Sequence, residues 1–201
     1  MPIHQLFPEP VYISNLERML TTEELKTLNK YKKKTYNNVG NTTSNDNYVL
    51  ENKTLKTLKK DLNKKVINYF NKIVCSSNSI LPYITQSWLN YTKPNQFHHR
   101  HSHSNSYVSG VFYINANKEV DKIKFHKVAR VLELKVTHYN IFNSTSWWYA
   151  IETGDIILFP STLVHGVEAK EGTNIRTSLA FNVFFKGTIG NNAKLTELVL
   201  E

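Results

Sequence analysis

The sequence is poor in cysteine, glycine and proline, and it has no long hydrophobic run. Among 201 residues there are one cysteine, seven glycines and six prolines. The single cysteine, Cys75, excludes an intrachain disulfide and cysteine-based zinc or iron–sulfur clusters. We expect it to be a small buried side chain in a reducing, cytoplasmic setting. The low glycine and proline content, with 12% aromatic residues, excludes a collagen-like or globally disordered chain.

No stretch approaches the roughly 20 apolar residues that a membrane-spanning helix needs. The N-terminal residues mix proline and glutamate among apolar side chains, which is unlike a secretory signal. We therefore expect a protein with no membrane partner that is not secreted. The absence of linkers and internal repeats predicts one domain over residues 1–201, with a helical part at about 1–80 and a β core at about 81–190.

Positive charge is concentrated in two predicted N-terminal helices. The chain carries 25 lysines and arginines against 16 acidic residues, and only four of the basic residues are arginines. The first helix is predicted from about Thr22 to Tyr36, with Thr21 or Thr22 as its cap. The second lies within Asn52–Val74, where apolar residues recur at three- and four-residue steps: Leu55, Leu58, Leu62, Val66, Tyr69 and Ile73. Its lysines favour a solvated face over a nucleic-acid surface, because no aromatic platform or binding motif accompanies them.

After Ile80 the pattern changes from helical to strand-like. Segments rich in β-branched and aromatic residues alternate with turn residues, and they lie near Ile84–Tyr91, Tyr107–Ile114, Lys122–His126, Val131–Phe142, Asp155–Phe159 and Arg176–Phe185. Six short strands predict a barrel or a double-sheet jelly roll. The expected fold class is α+β and mainly β, with the two helices packed outside one sheet.

The densest chemical signal is a run of histidines: His98, His99, His101 and His103 are four of the eight in the chain. In an extended segment alternate side chains share one side, so a His-x-His pair can bind one metal ion with two imidazoles. A histidine-rich surface segment without metal is the alternative.

Two further segments supply residues that a metal site and an anion site need. The strand-like run from Gly154 ends at Pro160, and the chain then presents His165 beside a glycine. Farther on, Arg176 and Ser178 occupy alternate positions of a predicted strand, so both side chains can hold one carboxylate. The alternatives are a hydrogen-bonded structural histidine and an arginine paired with a structural carboxylate.

These segments, in this order, resemble the 2-oxoglutarate/Fe(II)-dependent oxygenases. The resemblance is to a subgroup whose sequences read HxHxxSxxSGVYY, then GDLxLFPSxLxHGV, then an arginine followed by FN. The matching stretches are His101–Tyr113 (HSHSNSYVSGVFY), Gly154–Val167 (GDIILFPSTLVHGV), and Arg176 with Phe181–Asn182. They lie between Trp88 and Phe184, which is about half of the chain.

The resemblance implies a double-stranded β-helix, the jelly-roll fold of the cupins, with iron at its open end. It implies His101, His103 and His165 as the Fe(II) ligands, and Arg176 with Ser178 as the site for the distal carboxylate of 2-oxoglutarate. It implies no catalytic residue beyond the metal ligands. O₂ is then the other cosubstrate, ascorbate is a stimulating reductant, and an organic substrate is hydroxylated with release of succinate and CO₂.

The sequence departs from the family at one ligand. Most such oxygenases use two histidines and one carboxylate, but His103 stands at the carboxylate position, and no acidic residue occurs from His98 to Lys118. The iron centre would then be one charge unit more positive. A register that uses His99 and His101 is the competing assignment. The register with His101 and His103 is favoured because it alone reproduces the spacing to Ser109–Gly110.

The resemblance implies a small molecule or a protein side chain as substrate, with prolyl hydroxylation as the nearest analogy. One alternative is a three-histidine cupin-type dioxygenase that does not use 2-oxoglutarate. Another is a non-catalytic module that binds metal or nucleic acid. The aromatic segment Trp147–Tyr149 is predicted to pack in the core rather than to line a substrate mouth.

Overall fold

The structure is a computed structural model that describes residues 3–127 and 135–201. Within these ranges the α-helices are α1 (Thr22–Lys30) and α2 (Lys56–Tyr69). The strands are β1 (Tyr12–Asn15), β2 (Thr35–Asn37), β3 (Thr42–Ser44), β4 (Ile80–Thr92), β5 (His98–His101), β6 (Val108–Asn115), β7 (Lys122–His126), β8 (Ser146–Ala150), β9 (Asp155–Pro160), β10 (His165–Val167), β11 (Arg176–Ile189) and β12 (Leu198–Leu200). Short 3-10 turns lie at Tyr31–Lys33, Val49–Glu51, Lys53–Leu55 and Asn192–Lys194, and a π turn lies at Phe70–Val74. None of these helices is long and apolar enough to cross a membrane.

The strands form two antiparallel sheets. The larger sheet has the order β1-β9-β6-β11-β4-β3-β2, with β12 beside β11, and the smaller sheet has the order β5-β10-β7-β8. One apolar cluster, which includes Ile123 and Phe125 of the smaller sheet and Phe159 of the larger one, lies between the two sheets. The predicted mainly β jelly roll is confirmed.

The two faces of the larger sheet have different partners because side chains alternate along each strand. On β11, Leu179, Phe181 and Val183 belong to the core cluster that also contains the helices. Arg176 and Ser178 lie at the alternate positions and line a cleft on the other face. The helices therefore cover one face of this sheet, as predicted, and the opposite face is left for the candidate site.

Helix α2 confirms the predicted amphipathic pattern, with one exception at its end. Leu58, Leu62 and Val66 are completely buried. Ile73 is instead 37% exposed, because the last turn widens into the π turn and shifts the register of the apolar face. Phe70 takes the buried position in place of Ile73.

Helix α1 begins where predicted but ends early. Thr21 and Glu24 form a capping box, in which the Thr21 hydroxyl accepts from the Glu24 backbone N–H. The prediction of helix to Tyr36 is wrong, since α1 ends at Lys30 and strand β2 begins at Thr35. β-Branched and aromatic residues favour strands, and here β2 forms a hairpin with β3 at the edge of the larger sheet.

Five of the predicted strands are confirmed as β4, β6, β7, β9 and β11. The sixth, Val131–Phe142, falls partly on residues 131–134, which lie outside the described ranges, and its remainder is not a strand. The Asn140 side chain accepts from the backbone N–H groups of Phe142 and Asn143, which is a turn geometry that ends extended structure. The fourth strand of the smaller sheet is β8, which the sequence did not predict.

Two expectations about burial are wrong. Cys75 is exposed, because it follows the π turn in a left-handed conformation at the end of the helix. In β8, Trp147 and Trp148 are 39% and 51% exposed rather than packed in the core. The Trp148 ring lies under the Lys122 ammonium group (4.5 Å), so its outer face is covered by a cation.

Candidate metal centre and cosubstrate cleft

Three predicted ligands come together beside the smaller sheet. His101 ends β5 and His165 begins β10, and the antiparallel register places them opposite each other. His103 follows β5 by two residues, and its backbone N–H donates to the Ser161 carbonyl (2.9 Å). One nitrogen of each ring lies within 4.8 Å of the other two. We call His101, His103 and His165 the first triad.

Serines of the two motif segments join the loops that carry these histidines. Ser109 Oγ hydrogen-bonds Ser161 Oγ (2.9 Å), and Ser161 in turn donates to Ser106 Oγ (2.8 Å). Ser106 lies just after His103, and Ser161 lies just before His165. The chain of hydroxyls therefore fixes one ligand-bearing segment against the other.

The spacing of the three rings suits a single metal ion. Metal–nitrogen bonds of about 2.1 Å would set imidazole centroids roughly 4.5–5.3 Å apart around one ion. The observed centroid distances are 4.4 Å for His101–His165, 5.0 Å for His101–His103 and 5.2 Å for His103–His165. The first triad therefore has the separation that three ligands of one ion require.

In each ring of the first triad, the nitrogen Nδ1 already has a hydrogen-bond acceptor. Nδ1 of His101 donates to the His99 carbonyl (2.8 Å), and Nδ1 of His165 donates to the Leu163 carbonyl (3.0 Å). Nδ1 of His103 donates to Asn182 Oδ1 (2.7 Å). This tautomer leaves each Nε2 with a free lone pair, which is the arrangement of metal-binding histidines.

His103 Nε2 shows most directly that the residues fit a metal. It is buried and has no hydrogen-bond partner in the described part of the chain. An unsatisfied buried nitrogen costs free energy unless a ligand binds it. Burial also lowers the pKa of His101 to about 4 and that of His165 to about 3. The rings are therefore neutral at physiological pH, which is the form that binds metal.

The predicted cosubstrate residues lie in the same cleft as the first triad. Arg176 begins β11, Ser178 lies one pleat farther along, and both are buried. They line a cleft of about 520 Å³, which includes space open to solvent and reaches all three histidines. Among the described residues, the lining of the cleft contains no acidic side chain. Arg176 therefore supplies the positive charge of the cleft.

Arg176 is held by neutral acceptors. Its guanidinium donates to Thr92 Oγ1 (3.0 Å) and to the Lys122 carbonyl (3.5 Å). Among the described residues no carboxylate forms an ion pair with it, and the nearby Asp121 pairs with Lys170 (3.4 Å). Burial lowers the pKa of Arg176 from its usual value. The buried guanidinium can therefore accept a carboxylate from a ligand.

Three residues beside the predicted site were missed as functional candidates. Asn182 orients His103. It lies on the same face of β11 as Arg176, and this even spacing in the sequence could have indicated that it faces the cleft. Tyr113 pairs with Ser178 across β6 and β11, lines the cleft, and has its pKa raised by burial. Trp88 stacks on the His103 ring (5.6 Å between centroids, 24° between planes).

The two possible ligand assignments in the histidine run correspond to two different groups of side chains. His101 groups with His103 and His165, whereas His99 groups with His98 and His101. The group that contains His165 therefore excludes His99. This geometry agrees with the favoured register, and His101 belongs to both groups.

A sequence model described as "Putative 2OG-Fe(II) oxygenase" matches residues 86–182. No curated protein sequence matches the chain. Similar solved structures include an oxidoreductase of the 2OG-Fe(II) oxygenase family from Burkholderia pseudomallei, with 12% identity, a TM-score of 0.58, and coverage of 86% of this chain and 83% of the other.

Two further similar structures were solved with bound molecules. HygX from Streptomyces hygroscopicus, with nickel, 2-oxoglutarate and hygromycin B bound, has 10% identity, a TM-score of 0.57, and coverage of 87% and 82%. A prolyl hydroxylase from Trichoplax adhaerens, in complex with a peptide of hypoxia inducible factor, has 16% identity, a TM-score of 0.57, and coverage of 87% and 83%. At these identities the structures show a shared fold.

The fold and the cleft define a double-stranded β-helix protein with a candidate metal centre made only of histidines. Residues 86–182, just under half of the chain, match the model of the 2-oxoglutarate/Fe(II)-dependent oxygenase family, so this part of the chain is similar to that superfamily. Members of this superfamily are oxidoreductases that use Fe(II) and 2-oxoglutarate.

Proposed function

We propose that this chain binds Fe(II) through the first triad, binds 2-oxoglutarate through Arg176 and Ser178, and hydroxylates an organic substrate with release of succinate and CO₂. One observation carries the proposal: a single cleft joins three imidazoles with free Nε2 atoms to a buried arginine that has no carboxylate partner among the described residues. A short molecule with a metal-chelating end and a distal carboxylate matches both ends of this cleft.

The chain's own residues would bind and orient the cosubstrate. The Arg176 guanidinium, already aimed by Thr92, would form a charge-assisted pair with the distal carboxylate, and the hydroxyls of Ser178 and Tyr113 would hydrogen-bond it. Apolar side chains of the lining, among them Ile123, would exclude water and strengthen that pair. Bound Fe(II) would supply the activation of O₂ that drives hydroxylation of an unreactive C–H bond.

The all-histidine centre changes the charge balance in the cleft. Three neutral imidazoles leave the two positive charges of Fe(II) uncompensated, and Arg176 adds a third. A dianionic 2-oxoglutarate would offset two of these, so its binding should be favoured more strongly than at a centre that already holds a carboxylate ligand. This electrostatic argument supports the cosubstrate even though the family's usual carboxylate is missing.

The substrate in this proposal is a small molecule or a protein side chain, with prolyl hydroxylation as the nearest analogy. The similar structures bind both kinds of molecule, hygromycin B in one and a peptide in the other. Ascorbate is expected to stimulate turnover, as in the family.

The test is an anaerobic titration of the metal-free protein with Fe(II) and then with 2-oxoglutarate, followed by the visible charge-transfer band of the chelate. We expect a band only after both additions. Arg176→Ala should weaken 2-oxoglutarate binding about 100-fold, because a buried charge pair loses one partner. Arg100→Ala, which removes an exposed arginine, should leave the affinity unchanged. Bound iron without a band, or a band insensitive to Arg176→Ala, would refute 2-oxoglutarate use and favour a three-histidine dioxygenase that does not need it.

A further inference from the structure

A second group of three histidines lies next to the first triad. His98, His99 and His101 each place one ring nitrogen within 4.8 Å of the other two. Their ring centroids are 5.3 Å apart for His98–His99, 4.7 Å for His98–His101 and 4.8 Å for His99–His101. These distances fall in the range of roughly 4.5–5.3 Å set by three imidazoles on one ion. We call this group the second triad.

A β-bulge creates this group. In a regular strand His98 would point away from His99 and His101, because consecutive side chains alternate. Here His98 pairs with Val167 and His101 pairs with His165, so β5 has one more residue than β10 between the two pairs. The extra residue breaks the alternation and lets neighbouring histidines turn to the same side.

Gly166 makes room for the bulge. It lies opposite the extra residue, and a Cβ at this position would be 3.0 Å from the His98 carbonyl and 3.2 Å from the His99 carbonyl. Both neighbours are backbone atoms that cannot rotate away. The glycine beside His165 therefore shapes the second triad.

One nitrogen of the second triad has no partner among the residues that the structure describes. His99 Nδ1 is buried and makes no hydrogen bond to residues 3–127 or 135–201. His98, His101 and His165 line the cleft described above, and among the described residues its lining contains no acidic side chain. A cation bound by neutral rings is the ligand that satisfies such a group.

Asn38 holds His98 in its metal-free form. The Asn38 amide oxygen accepts from the Val39 N–H (2.8 Å), which turns the amide nitrogen toward His98 Nε2 (3.3 Å). His98 Nε2 is therefore an acceptor and Nδ1 carries the proton. Binding of metal through Nε2 would displace this amide, and binding through Nδ1 would put a proton on Nε2 facing another donor. Either way the metal and Asn38 compete for His98.

We propose that the second triad is an alternative position for a transition metal that prefers imidazole ligands, such as Ni²⁺ or Zn²⁺. His101 Nδ1 donates to the His99 carbonyl, so only Nε2 can bind, and one lone pair serves one ion. The two triads are therefore mutually exclusive. The proposal concerns metal binding alone and does not depend on 2-oxoglutarate use.

The test is calorimetric titration with Ni²⁺ alone, on variants whose fold is checked by circular dichroism without metal. The double variant His103→Gln/His165→Gln removes two ligands of the first triad, and we expect it still to bind one Ni²⁺ per chain. Adding His99→Gln to it should weaken binding about 100-fold, because one of the three remaining ligands is lost. Adding His138→Gln instead, at an exposed histidine outside both triads, should change nothing.

Asn38→Ala tests whether Asn38 competes with the metal for His98 or only supports the His98 ring. In the double variant it should tighten Ni²⁺ binding about two- to tenfold, since the ion no longer displaces a hydrogen bond. Weaker or unchanged binding would overturn the proposed competition. The proposal also fails if the double variant binds no Ni²⁺, if His99→Gln has no effect in it, or if the wild type binds two Ni²⁺ with similar affinity.

Discussion

At the residue scale, the hydrogen bond behind each imidazole decides what the ring can bind. His101 and His165 donate to backbone carbonyls, which no substitution removes. His103 donates to the Asn182 side chain, so its orientation depends on one replaceable residue. Since His103 stands where the family usually has a carboxylate, Asn182 orients the unusual member of the candidate centre.

Replacement of Asn182 should therefore change metal affinity. Asn182→Ala leaves His103 Nδ1–H without its acceptor, and we expect metal binding to weaken about 10- to 100-fold. Asn182→Asp places a carboxylate behind the ring and should tighten binding, because it makes the imidazole more basic. Titration calorimetry with Ni²⁺ measures both. Asn90→Ala is the matched control, because Asn90 is a buried asparagine of the same cleft whose side chain accepts from Thr43 and not from a histidine. Equal losses of Ni²⁺ affinity in the two alanine variants would contradict the role of Asn182.

The buried histidines should make the metal-free protein sensitive to mild acid. Burial lowers the pKa of His165 to about 3 and that of His101 to about 4, whereas both titrate near 6.5 in the unfolded chain. The unfolded state therefore takes up protons first. The contribution of these neutral rings to the free energy of unfolding is fully present above pH 6.5 and is lost as pH falls toward 4 and 3. For His165 the loss between pH 7 and 5 is about 1–2 kcal/mol.

Thermal unfolding in the presence of a chelator checks this pH dependence. We expect the midpoint to fall by several degrees from pH 7 to 5, and His165→Asn should flatten the profile. His138→Asn, at an exposed histidine, should leave the profile unchanged. A midpoint that is equal at pH 7 and pH 5 in the wild type would show that these rings are not held neutral by burial.

At the element scale, several motif residues support packing and not chemistry. Gly110 of the SGVFY segment lies on β6 under the Phe181 ring of β11, and an added Cβ would be 2.2 Å from two ring atoms. The neighbouring Ser109 belongs to the hydroxyl chain with Ser161. The motif therefore keeps two strands close enough for the ligand-bearing segments to meet.

Gly110→Ala should accordingly destabilise the fold by overpacking, by about 1–3 kcal/mol. Phe181 is completely buried, so the ring cannot move into solvent to make room. Phe181→Leu in the same chain should offset part of the loss, because a smaller side chain accepts the new methyl group. Urea unfolding of the wild type, both single variants and the double variant gives the coupling energy, and strictly additive losses would contradict the contact.

The elements that the sequence predicted well are the long ones. Helix α2 and strands such as β4 and β11 carry enough residues for their periodicity to be read directly. β5 and β10 have only four and three residues, which is too short for a pattern. These short strands nevertheless carry the histidines, so the pairing of His101 with His165 depends on sheet contacts that no local pattern shows.

At the scale of the whole molecule, the order of motifs predicted which side chains lie together but not the residues that support them, and the role of these side chains as ligands stays a prediction. The expected ligands and Arg176 lie in one cleft, and the resemblance was sufficient to name them. Tyr113 and Asn182 enter the site through the register between β6 and β11, and His98 enters through a bulge in β5. Register and bulges follow from packing of the complete sheets, so they could not be predicted from a segment alone.

Net charge is the other whole-molecule property, and the structure shows where part of it is neutralised. Of the lysines on and beside α2, Lys59 pairs with Glu51 (2.6 Å) and Lys65 pairs with Glu17 (3.2 Å). Lys64 pairs with Asp61 (3.1 Å), a residue that also accepts from Arg18. The basic face is therefore interrupted by carboxylates, whereas a phosphate-binding surface needs uncompensated charge.

We therefore expect only weak, salt-sensitive attraction of nucleic acid to this face. Fluorescence anisotropy with a labelled DNA duplex and with a labelled single strand should give dissociation constants weaker than about 1 µM at 150 mM salt. The variant Lys53→Glu/Lys56→Glu/Lys60→Glu reverses three exposed lysines of the face and lies outside the cleft, so it should leave Fe(II) and 2-oxoglutarate binding unchanged. Tighter binding that this variant abolishes would instead support a nucleic-acid partner. Because the formal charge of the chain is +9, the assay at physiological salt is the one that separates specific use of the lysines from general attraction.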